Sequence, residues 1–446
     1  MANEQDLKSD LGGQPRGLFV TLASAFWVQA SLWGLLNILP LYLTENLFLD
    51  AGAHPDILGL ESLRSLIGIE GAPRLGSRIF ILYTSLSLYL PALGAFLSDR
   101  RLGHARALRF GFAFFIAGSF LLGWERLFLI SLLLIALGTA LCLPNLYAQA
   151  SRLFEETDSR REPVFIGLYL TLILGTYFGP ILFSQIFPQW GPQTGMMVLG
   201  LIMALGFGTC LWGQKRFEVI SSAPNHQAKP KSHRATIYCL PLFMIAFVYA
   251  GMDHTLTSII NLWSEKRVDL RISGWDFPTT WSIFVTPFGI TFIALRITRS
   301  WKKLAARQKE PSPLKAMSFA TGLLAVVSFL MLMAFQVTAP DIKGSAAWLV
   351  AATLIQAVSQ IGFFSLGASM VSRLAPPQSL AMMLACWTLF LNTGRSIPLG
   401  LEAFEEGGNG TGMLLSFIAV GLFAAAVLFG LDKAMPKAPP NSNETV

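Results

Sequence analysis

Residues 94–109 read Gly-Ala-Phe-Leu-Ser-Asp-Arg-Arg-Leu-Gly-His-Ala-Arg-Ala-Leu-Arg, and the rest of the chain is organised around this stretch. An apolar run that begins at Ile79 stops at Asp99, and a second apolar run begins at Phe110. The segment between them carries Arg100, Arg101, Arg106 and Arg109. Positive charge this dense between two membrane-length runs predicts a tight cytoplasmic loop that joins two transmembrane helices.

The composition is that of a membrane protein. Of 446 residues, 53% are hydrophobic and 13% are charged, which is too little charge to cover a soluble protein of this size. The net charge is +7, but Lys and Arg lie in short loops between apolar runs, so they predict orientation in a bilayer and no nucleic-acid binding. The four cysteines fall inside apolar segments without metal-ligand spacing, so no metal site and no cofactor is predicted.

Windows of about 20 predominantly apolar residues predict an all-α polytopic membrane protein with twelve transmembrane helices. The first six windows cover 17–44, 78–98, 106–124, 127–150, 163–187 and 193–213. The second six cover 237–264, 277–297, 314–337, 346–372, 378–401 and 412–432. A long external connection between the first two contains a stretch, 55–69, whose apolar spacing predicts a short amphipathic surface helix.

A basic linker at 214–236 divides the chain into two six-helix halves. The predicted organisation is a cytoplasmic tail at 1–16, a bundle at 17–213, the linker, a second bundle at 237–432 and a disordered tail at 433–446. Two pseudo-repeat bundles that face one cavity form a common plan of secondary transporters. Lys and Arg are in roughly three-fold excess on the side of the N-terminus, which predicts that both termini are cytoplasmic and favours a bacterial inner membrane.

The pattern Gly-x-x-x-Asp-Arg-x-x-Gly within residues 94–109 resembles the signature between the second and third helices of the major facilitator superfamily. The resemblance implies a loop that latches one state of the transport cycle. The residues that would form this latch are Gly94, Asp99, Arg100, Arg101, Gly103 and Arg106. An ordinary cytoplasmic turn that obeys the positive-inside rule is the alternative.

Further blocks resemble the proton-dependent oligopeptide transporter family, and they recur in the family's order along nearly the whole chain. Gly138-Thr-Ala-Leu-Cys-Leu-Pro-Asn145 is similar to its fourth-helix block, and Ser258–Asp269 to the end of its seventh helix. Gly367–Pro376 is similar to the end of its tenth helix, and Trp387 stands where its eleventh helix has a tryptophan. The resemblance implies a twelve-helix carrier of small peptides.

Five charged positions of that family are neutral in this chain. The first-helix Glu-x-x-Glu-Arg, which couples proton movement to transport in the family, corresponds to Ala25, Val28 and Gln29. The fourth-helix Lys corresponds to Leu143, and the tenth-helix Glu, which recognises a peptide's amino group, to Gln360. Intramembrane charges are costly and are kept for function, so their loss argues against the usual coupling of protons to peptides.

Few charged or titratable groups remain at membrane depth: Asp253 and His254 lie in the seventh predicted span, and Arg395 lies in the eleventh. Neighbouring helical residues point about 100° apart, so Asp253 and His254 cannot form a stacked pair. We expect Asp253 or His254 to serve in ion coupling, and Arg395 to bind an anionic substrate group or pair with Asp253. The alternative is that Asp253 and His254 only hydrogen-bond inside the bundle while Arg395 reaches the headgroups.

Uncharged polar and aromatic residues in the spans are candidates for contacts with a substrate. They are Gln29, Trp33, Asn37, Tyr83, Asn145, Tyr169, Trp281, Gln356, Gln360, Trp387 and Asn392. Polar side chains also join transmembrane helices, and Trp and Tyr also anchor helix ends at the membrane surface, so each has a structural alternative.

The sequence therefore predicts a transporter that moves a small polar organic solute, peptide-like or other, by alternating access. Its predicted partners are the lipid bilayer, the solute and protons, and it is expected to be a monomer. The sequence contains no Gly-x-Ser-x-Gly, no phosphate-binding glycine loop with lysine and no His-Glu-x-x-His, so no enzyme activity is predicted. The alternative function is a receptor or interaction protein that kept the fold without transport.

Overall fold

The computed structural model describes an almost entirely helical chain. The described residues are 10–11, 14–48, 56–67, 72–154, 158, 160–213, 237–269, 271–272, 275–276, 282–305, 307, 309, 311–338, 343–397 and 410–435. The predicted linker at 214–236 lies outside them, as do most of the predicted tails.

The first half contains six α-helices. α1 is Arg16–Tyr42 and continues as a π-helical turn, Leu43–Leu47; α2 is Leu60–Ile67. α3 is Ala72–Leu97 with a π-helical turn, Ser98–Leu102, and α4 is His104–Leu121. A 3-10 turn, Glu125–Leu127, precedes α5, Phe128–Arg152. α6 is Arg161–Trp212, which is broken at Gly191, where φ is 81° and ψ is 167°.

Seven more helices follow. α7 is Cys239–Arg267, α8 is Ser282–Ala305 and α9 is Pro313–Val337. α10 is Ala346–Gln360, a π-helical turn covers Ile361–Ser365, and α11 is Leu366–Leu374. A 3-10 turn, Pro377–Ser379, leads into α12, Leu380–Arg395, and α13 is Thr411–Ala434.

Six two-residue strands form three small pairs. β1, Asp10–Leu11, pairs antiparallel with β2, Gln14–Pro15. β3, Val268–Asp269, pairs in parallel with β6, Gly344–Ser345. β4, Arg271–Ile272, pairs antiparallel with β5, Trp275–Asp276.

The helices follow the predicted apolar windows closely. Among the described residues, nine segments are long and apolar enough to cross a membrane, and the broken helix α6 supplies two of them, Arg161–Gly191 and Thr194–Trp212. α4, α8 and α12 occupy the remaining three windows. The predicted surface helix within 55–69 is present as α2, and the predicted N-terminal tail at 1–16 contains the β1–β2 pair.

Two compact units divide the chain. Unit 1 comprises Met1–Phe243 and Val371–Thr393, and unit 2 comprises Met244–Met370 and Gly394–Val446. In unit 1, small residues let backbones approach closely: a Cβ placed on Gly94 of α3 would lie 2.4 Å from the carbonyl oxygen of Ala140 on α5. Such contacts are the usual means of joining helices inside a membrane, where lipid offers apolar surface as good as protein.

Unit 2 is joined by hydrogen bonds as well as by apolar contacts. Ser318 on α9 donates to the carbonyl of Ala425 on α13 at 2.7 Å, and Ser359 on α10 donates to the carbonyl of Ala320 at 2.6 Å. The ring of Tyr249 on α7 stacks on Phe363 of the π-helical turn with centroids 3.7 Å apart. These contacts fix α7 against the end of α10, where the candidate site lies.

Candidate functional site

Asp253 is the centre of a polar cluster inside unit 2. It lies on α7 and is 3% exposed. The Gln356 amide nitrogen donates to Asp253 Oδ1 at 2.9 Å and to the Asp253 carbonyl at 3.0 Å. The Gln360 amide nitrogen donates to Oδ1 at 3.0 Å and to Oδ2 at 3.1 Å. A carboxylate at membrane depth is thereby held by two neutral donors.

The helix geometry of α10 explains why two glutamines converge on one carboxylate. Gln356 and Gln360 are four residues apart, so their side chains lie on the same face of the helix. The amide nitrogen of Gln356 also reaches Thr257 Oγ1 at 2.9 Å, one turn beyond Asp253 on α7. Gln360 is the last residue before the π-helical turn. π-helical turns inside α-helices are frequent at functional sites.

A cation lies beside this cluster. The guanidinium of Arg395 on α12 is half-buried and lies over the ring of Phe364, 4.6 Å from its centroid. Arg395 is close enough to act electrostatically on both Asp253 and His254. His254 is exposed while Asp253 is buried, in agreement with the predicted difference in their directions. The structure therefore brings together Asp253, Gln356, Gln360 and Arg395.

The other predicted contact residues lie in different places. In unit 1, Gln29 donates to Thr176 Oγ1 at 3.2 Å and so joins α1 to α6. Tyr83 is buried beside an apolar groove of about 470 Å³ under α2, away from the other candidates. The buried candidates in unit 1 also include Asn145, Tyr169 and Trp387, the exposed ones are Trp33, Asn37 and Asn392, and Trp281 lies outside the described residues.

The turn within residues 94–109 places Asp99 at the start of another helix. Its carboxylate, 3% exposed, accepts the backbone N–H groups of Ala381 at 3.3 Å and Met382 at 2.9 Å, in the first turn of α12. The first N–H groups of a helix have no partner within it and favour a negative charge. Asp99 thus ties the turn after α3 to the beginning of α12, and all of these residues belong to unit 1.

The glycines and arginines around Asp99 differ in their surroundings. Gly103 has φ 73° and ψ 152°, a backbone conformation that side chains with a Cβ rarely adopt, and it ends the π-helical turn just before α4. Arg100 is exposed and lies over the ring of Phe96 at 4.7 Å. Arg101 and Arg106 are also exposed, as expected for a loop at a charged membrane surface.

His104 is a polar residue of this region that sequence reasoning missed. It is 3% exposed, its Nδ1 lies 2.6 Å from Asn145 Oδ1, and its Nε2 lies 3.7 Å from Asp99 Oδ1. Burial and then the positive charge of Arg152 lower the pKa of His104 to about 4, while the hydrogen bond with Asn145 opposes the shift. His104 is therefore neutral at pH 7 in this arrangement.

A second missed group joins the beginning of α6 to α11. Arg161 is 2% exposed and donates to the carbonyls of Ser151 and Phe154 at 3.1 and 3.0 Å and to Ser372 Oγ at 2.6 Å. Glu162, its neighbour, pairs with Arg373. In the sequence these charges look like ordinary loop residues beside a span, and the signal that could have found them is the adjacent Arg161-Glu162 pair at the start of an apolar run.

The sequence profile of the Major Facilitator Superfamily matches residues 21–337 of the chain. The chain belongs to this superfamily. As a superfamily member it is an integral membrane protein that transports small solutes, and it is not an enzyme. Among the described residues there is no group of three or more His, Cys, Asp or Glu side chains arranged to hold a metal ion.

Two relatives and one solved structure are similar to this superfamily member along most of its length. A di-/tripeptide transporter of Lactococcus lactis subsp. cremoris is 23% identical, over 98% of this chain and 99% of its own. The uncharacterized transporter YclF of Bacillus subtilis (strain 168) is 23% identical, over 84% of this chain and 85% of its own. A crystal structure of a POT family transporter in complex with 5-aminolevulinic acid has a TM-score of 0.65 at 19% identity, over 96% and 99%, and so shares the fold.

Proposed function

We propose that this chain is a twelve-helix carrier in which bundles 17–213 and 237–432 alternate access to a binding site for a small polar organic solute. The basic linker at 214–236 and the tails at 1–16 and 433–446 lie on the cytoplasmic side, in a bacterial inner membrane, and the carrier acts as a monomer. Support comes from the superfamily match, the twelve apolar windows and the excess of Lys and Arg on one side.

The observation that carries the proposal is the Asp253 carboxylate held by Gln356 and Gln360 within the electrostatic reach of Arg395. Burying ionisable groups at membrane depth is expensive, and such groups normally belong to substrate or ion pathways. The cluster offers one anion, one cation and two amides. It would suit a solute that carries an ammonium group and a carboxylate.

Peptides and amino acids have these two groups. The relatives named di-/tripeptide transporters and the fold neighbour bound to 5-aminolevulinic acid act on or bind solutes of this class. In this chain Asp253 would face the ammonium group and Arg395 the carboxylate, with Gln360 in place of the acidic residue that the peptide-transporter resemblance implies. We therefore propose a zwitterionic, peptide-like cargo.

Asp253 is also the proposed proton carrier, with His254 beside it on the exposed side of α7. A carboxylate can accept from both glutamines, whereas a protonated carboxyl group must turn one oxygen into a donor. Protonation would therefore disturb one of the amide contacts and free Gln360 or Gln356 for the cargo. Coupling through this single carboxyl group would replace the first-helix charges that are absent at Ala25, Val28 and Gln29.

The test uses the full chain reconstituted in lipid vesicles and radiolabelled dialanine as the probe. We expect saturable uptake that an imposed proton gradient accelerates, and we expect Asp253→Asn to abolish the acceleration by the gradient. Arg395→Gln should raise the KM at least tenfold, since a charged hydrogen bond contributes about 1.5–3 kcal/mol. Glu61→Gln, which removes a carboxylate that is 77% exposed on α2, is the matched control and should behave like the wild type.

Two results would contradict the proposal. Uptake by Asp253→Asn that still responds to the gradient would remove Asp253 from the coupling mechanism. Specific binding of dialanine without any flux, in vesicles of verified orientation, would favour the receptor alternative over transport.

A further inference from the structure

The imidazole of His104 lies between two partners that come from different elements of unit 1. Asn145 is on α5, and Asp99 is in the π-helical turn after α3, where it holds the start of α12. The His104 side chain is 4% exposed and that of Asp99 is 3% exposed. The contact between Asp99 and α12 is therefore buried together with a group that titrates near neutral pH in water.

The hydrogen bonds assign the tautomer of His104. Asn145 Nδ2 donates to the carbonyl of Leu141 at 2.7 Å, so the amide oxygen of Asn145 is the atom that faces His104 Nδ1 at 2.6 Å. An amide oxygen only accepts, and Nδ1 must therefore carry a proton. In the neutral ring Nε2 is then the free base, and it faces Asp99 Oδ1 at 3.7 Å.

Charged groups from two other elements act on this nitrogen. Asp99 faces Nε2 from the turn after α3, and Arg152 acts on the ring from α5. On α4 itself, Arg106 is exposed. The start of α12 contributes the N–H groups of Ala381 and Met382, which already bind the Asp99 carboxylate. Asp99 Oδ1 thus accepts from the helix terminus and also faces the basic nitrogen of His104, which carries no proton in the neutral ring.

We propose that His104 is a proton-sensitive positioning residue: proton uptake at Nε2 draws Asp99 away from Ala381 and Met382 and releases the start of α12. An imidazolium would bind the same carboxylate oxygen that Ala381 binds, and it would neutralise the charge that the helix terminus prefers. It would also be an additional buried cation beside Arg152. This inference rests on the proposed function, because only in a carrier would the released state be part of a transport cycle.

The direction of the effect follows from the burial. In the arrangement seen here the pKa of His104 is about 4, and in a released, hydrated arrangement it returns towards the ordinary value of 6.5. Protons therefore bind more tightly to the released state. Between pH 7.5 and pH 5.5 the ratio of released to engaged molecules should rise about tenfold.

The experiment measures this ratio without cargo and without transport. Spin labels are placed on Phe110→Cys, on an exposed part of α4, and on Gln378→Cys, in the exposed turn before α12. The full chain, with Cys386→Ser, is studied in lipid nanodiscs by pulsed electron spin resonance at pH 7.5 and 5.5. We expect a longer-distance population to grow about tenfold relative to the shorter one as the pH falls.

Variants separate a titrating role from a structural one. His104→Gln should remove the pH response, whereas His226→Gln, in the linker at 214–236, should leave it intact. Asn145→Ala removes the acceptor that raises the pKa of His104 in the engaged state. The response should therefore still begin near pH 6.5, but in a pH series extended below 4 it should level off at a lower pH than in the wild type, whose engaged-state pKa is about 4. If His104→Gln does not fold, this shift in Asn145→Ala is the deciding measurement.

The inference is overturned if His104→Gln responds to pH like the wild type, if acid increases the shorter-distance population, or if the responses of Asn145→Ala and the wild type level off at the same pH. Because the distances are measured without cargo, these outcomes say nothing against dialanine uptake. Conversely, an absence of uptake with the expected distance changes would reject the proposed function and keep the role of His104.

Discussion

The amide nitrogen of Gln360 lies 3.0 and 3.1 Å from the two carboxylate oxygens of Asp253. Position 360 is where the peptide-transporter resemblance implies a glutamate. A glutamate there would put two carboxylates in hydrogen-bond contact, and they could not both be ionised at low cost. The neutral amide lets Asp253 keep its charge with a donor beside it.

Gln360→Glu should therefore make the stability of the protein depend on pH. At pH 8 the two carboxylates repel, and at pH 5 they can share a proton, so we expect a loss of about 2–4 kcal/mol at pH 8 that is mostly recovered at pH 5. Thermal unfolding in detergent micelles at both pH values, followed by tryptophan fluorescence, measures this loss of stability. Gln360→Leu, which removes the donor without adding charge, should be destabilised equally at both pH values, and equal losses for Gln360→Glu would contradict the prediction.

Arg161 should contribute to stability more than its neighbour Arg160. Arg161 is buried and donates to two backbone carbonyls and to Ser372, whereas the side chain of Arg160 is 42% exposed and pairs with Asp158. Arg161→Met leaves those buried acceptors without a charged donor and should cost about 3–5 kcal/mol in unfolding free energy. Arg160→Met is the matched control and should cost less than about 1 kcal/mol. Similar losses in urea unfolding for the two variants would show that the buried contacts are not the stabilising ones.

Gly94 and Gly167 should respond in opposite ways to the same methyl group. In Gly94→Ala the new Cβ would lie 2.4 Å from the carbonyl oxygen of Ala140, so α3 and α5 must separate, at a cost of about 1–3 kcal/mol. Gly167, inside α6, has nothing within 4 Å of the position that a methyl group would take, and Gly167→Ala should stabilise by about 0.5–1 kcal/mol. Thermal melting compares the two, and a neutral Gly94→Ala would mean that the helices can move apart freely.

His104 should make the folded state sensitive to acid. Its pKa is about 4 in the folded protein, against 6.5 in an unfolded chain, because burial and Arg152 disfavour the imidazolium. Above pH 6.5 the ring is neutral in both states; as the pH falls to 4 the unfolded chain binds the proton first, and up to about 3 kcal/mol of stability is lost. Below pH 4 this loss stops growing. Urea titrations from pH 7.5 to 4 measure the unfolding free energy of the wild type and of His104→Gln. If the unfolding free energies of the two proteins change with pH in parallel, His104 is not the source of the acid sensitivity.

The sequence predicted the helices well because a membrane span can be recognised from its local sequence alone. About 20 apolar residues in a row need no partner to be recognised, and α9 at Pro313–Val337 differs from its window, 314–337, by one residue. Between the windows 163–187 and 193–213 the sequence places a short segment that contains Pro188, Gly191 and Pro192. Only the structure shows that helical geometry continues on both sides up to one non-helical residue, Gly191.

Apart from the pairing of Arg395 with Asp253, which was one of two alternatives, the candidate site was predicted as separate residues. Asp253, Gln356 and Gln360 stood out because each is polar inside an apolar run, but their convergence depends on how α7 packs against α10. His104 and Arg161 were missed for the opposite reason. Each lies at the edge of a span, where basic residues are common and usually exposed. Both side chains are buried in the structure, and burial depends on tertiary packing that the local sequence does not show.

The π-helical turn Ile361–Ser365 makes the length of this segment as important as its composition. Such a turn carries one more residue than an α-helical turn, and each residue of an α-helix turns the chain by about 100°. Deleting a single residue within 361–365 would therefore leave a regular helix, and the face of α11 that carries Ser372 and Arg373 would still point towards Arg161 and Glu162. Deleting a residue from the regular helix on either side of the turn would instead rotate that face by about 100° and break the contact. A one-residue gap in a homologue is thus compatible with the same α6–α11 contact only when it falls within 361–365.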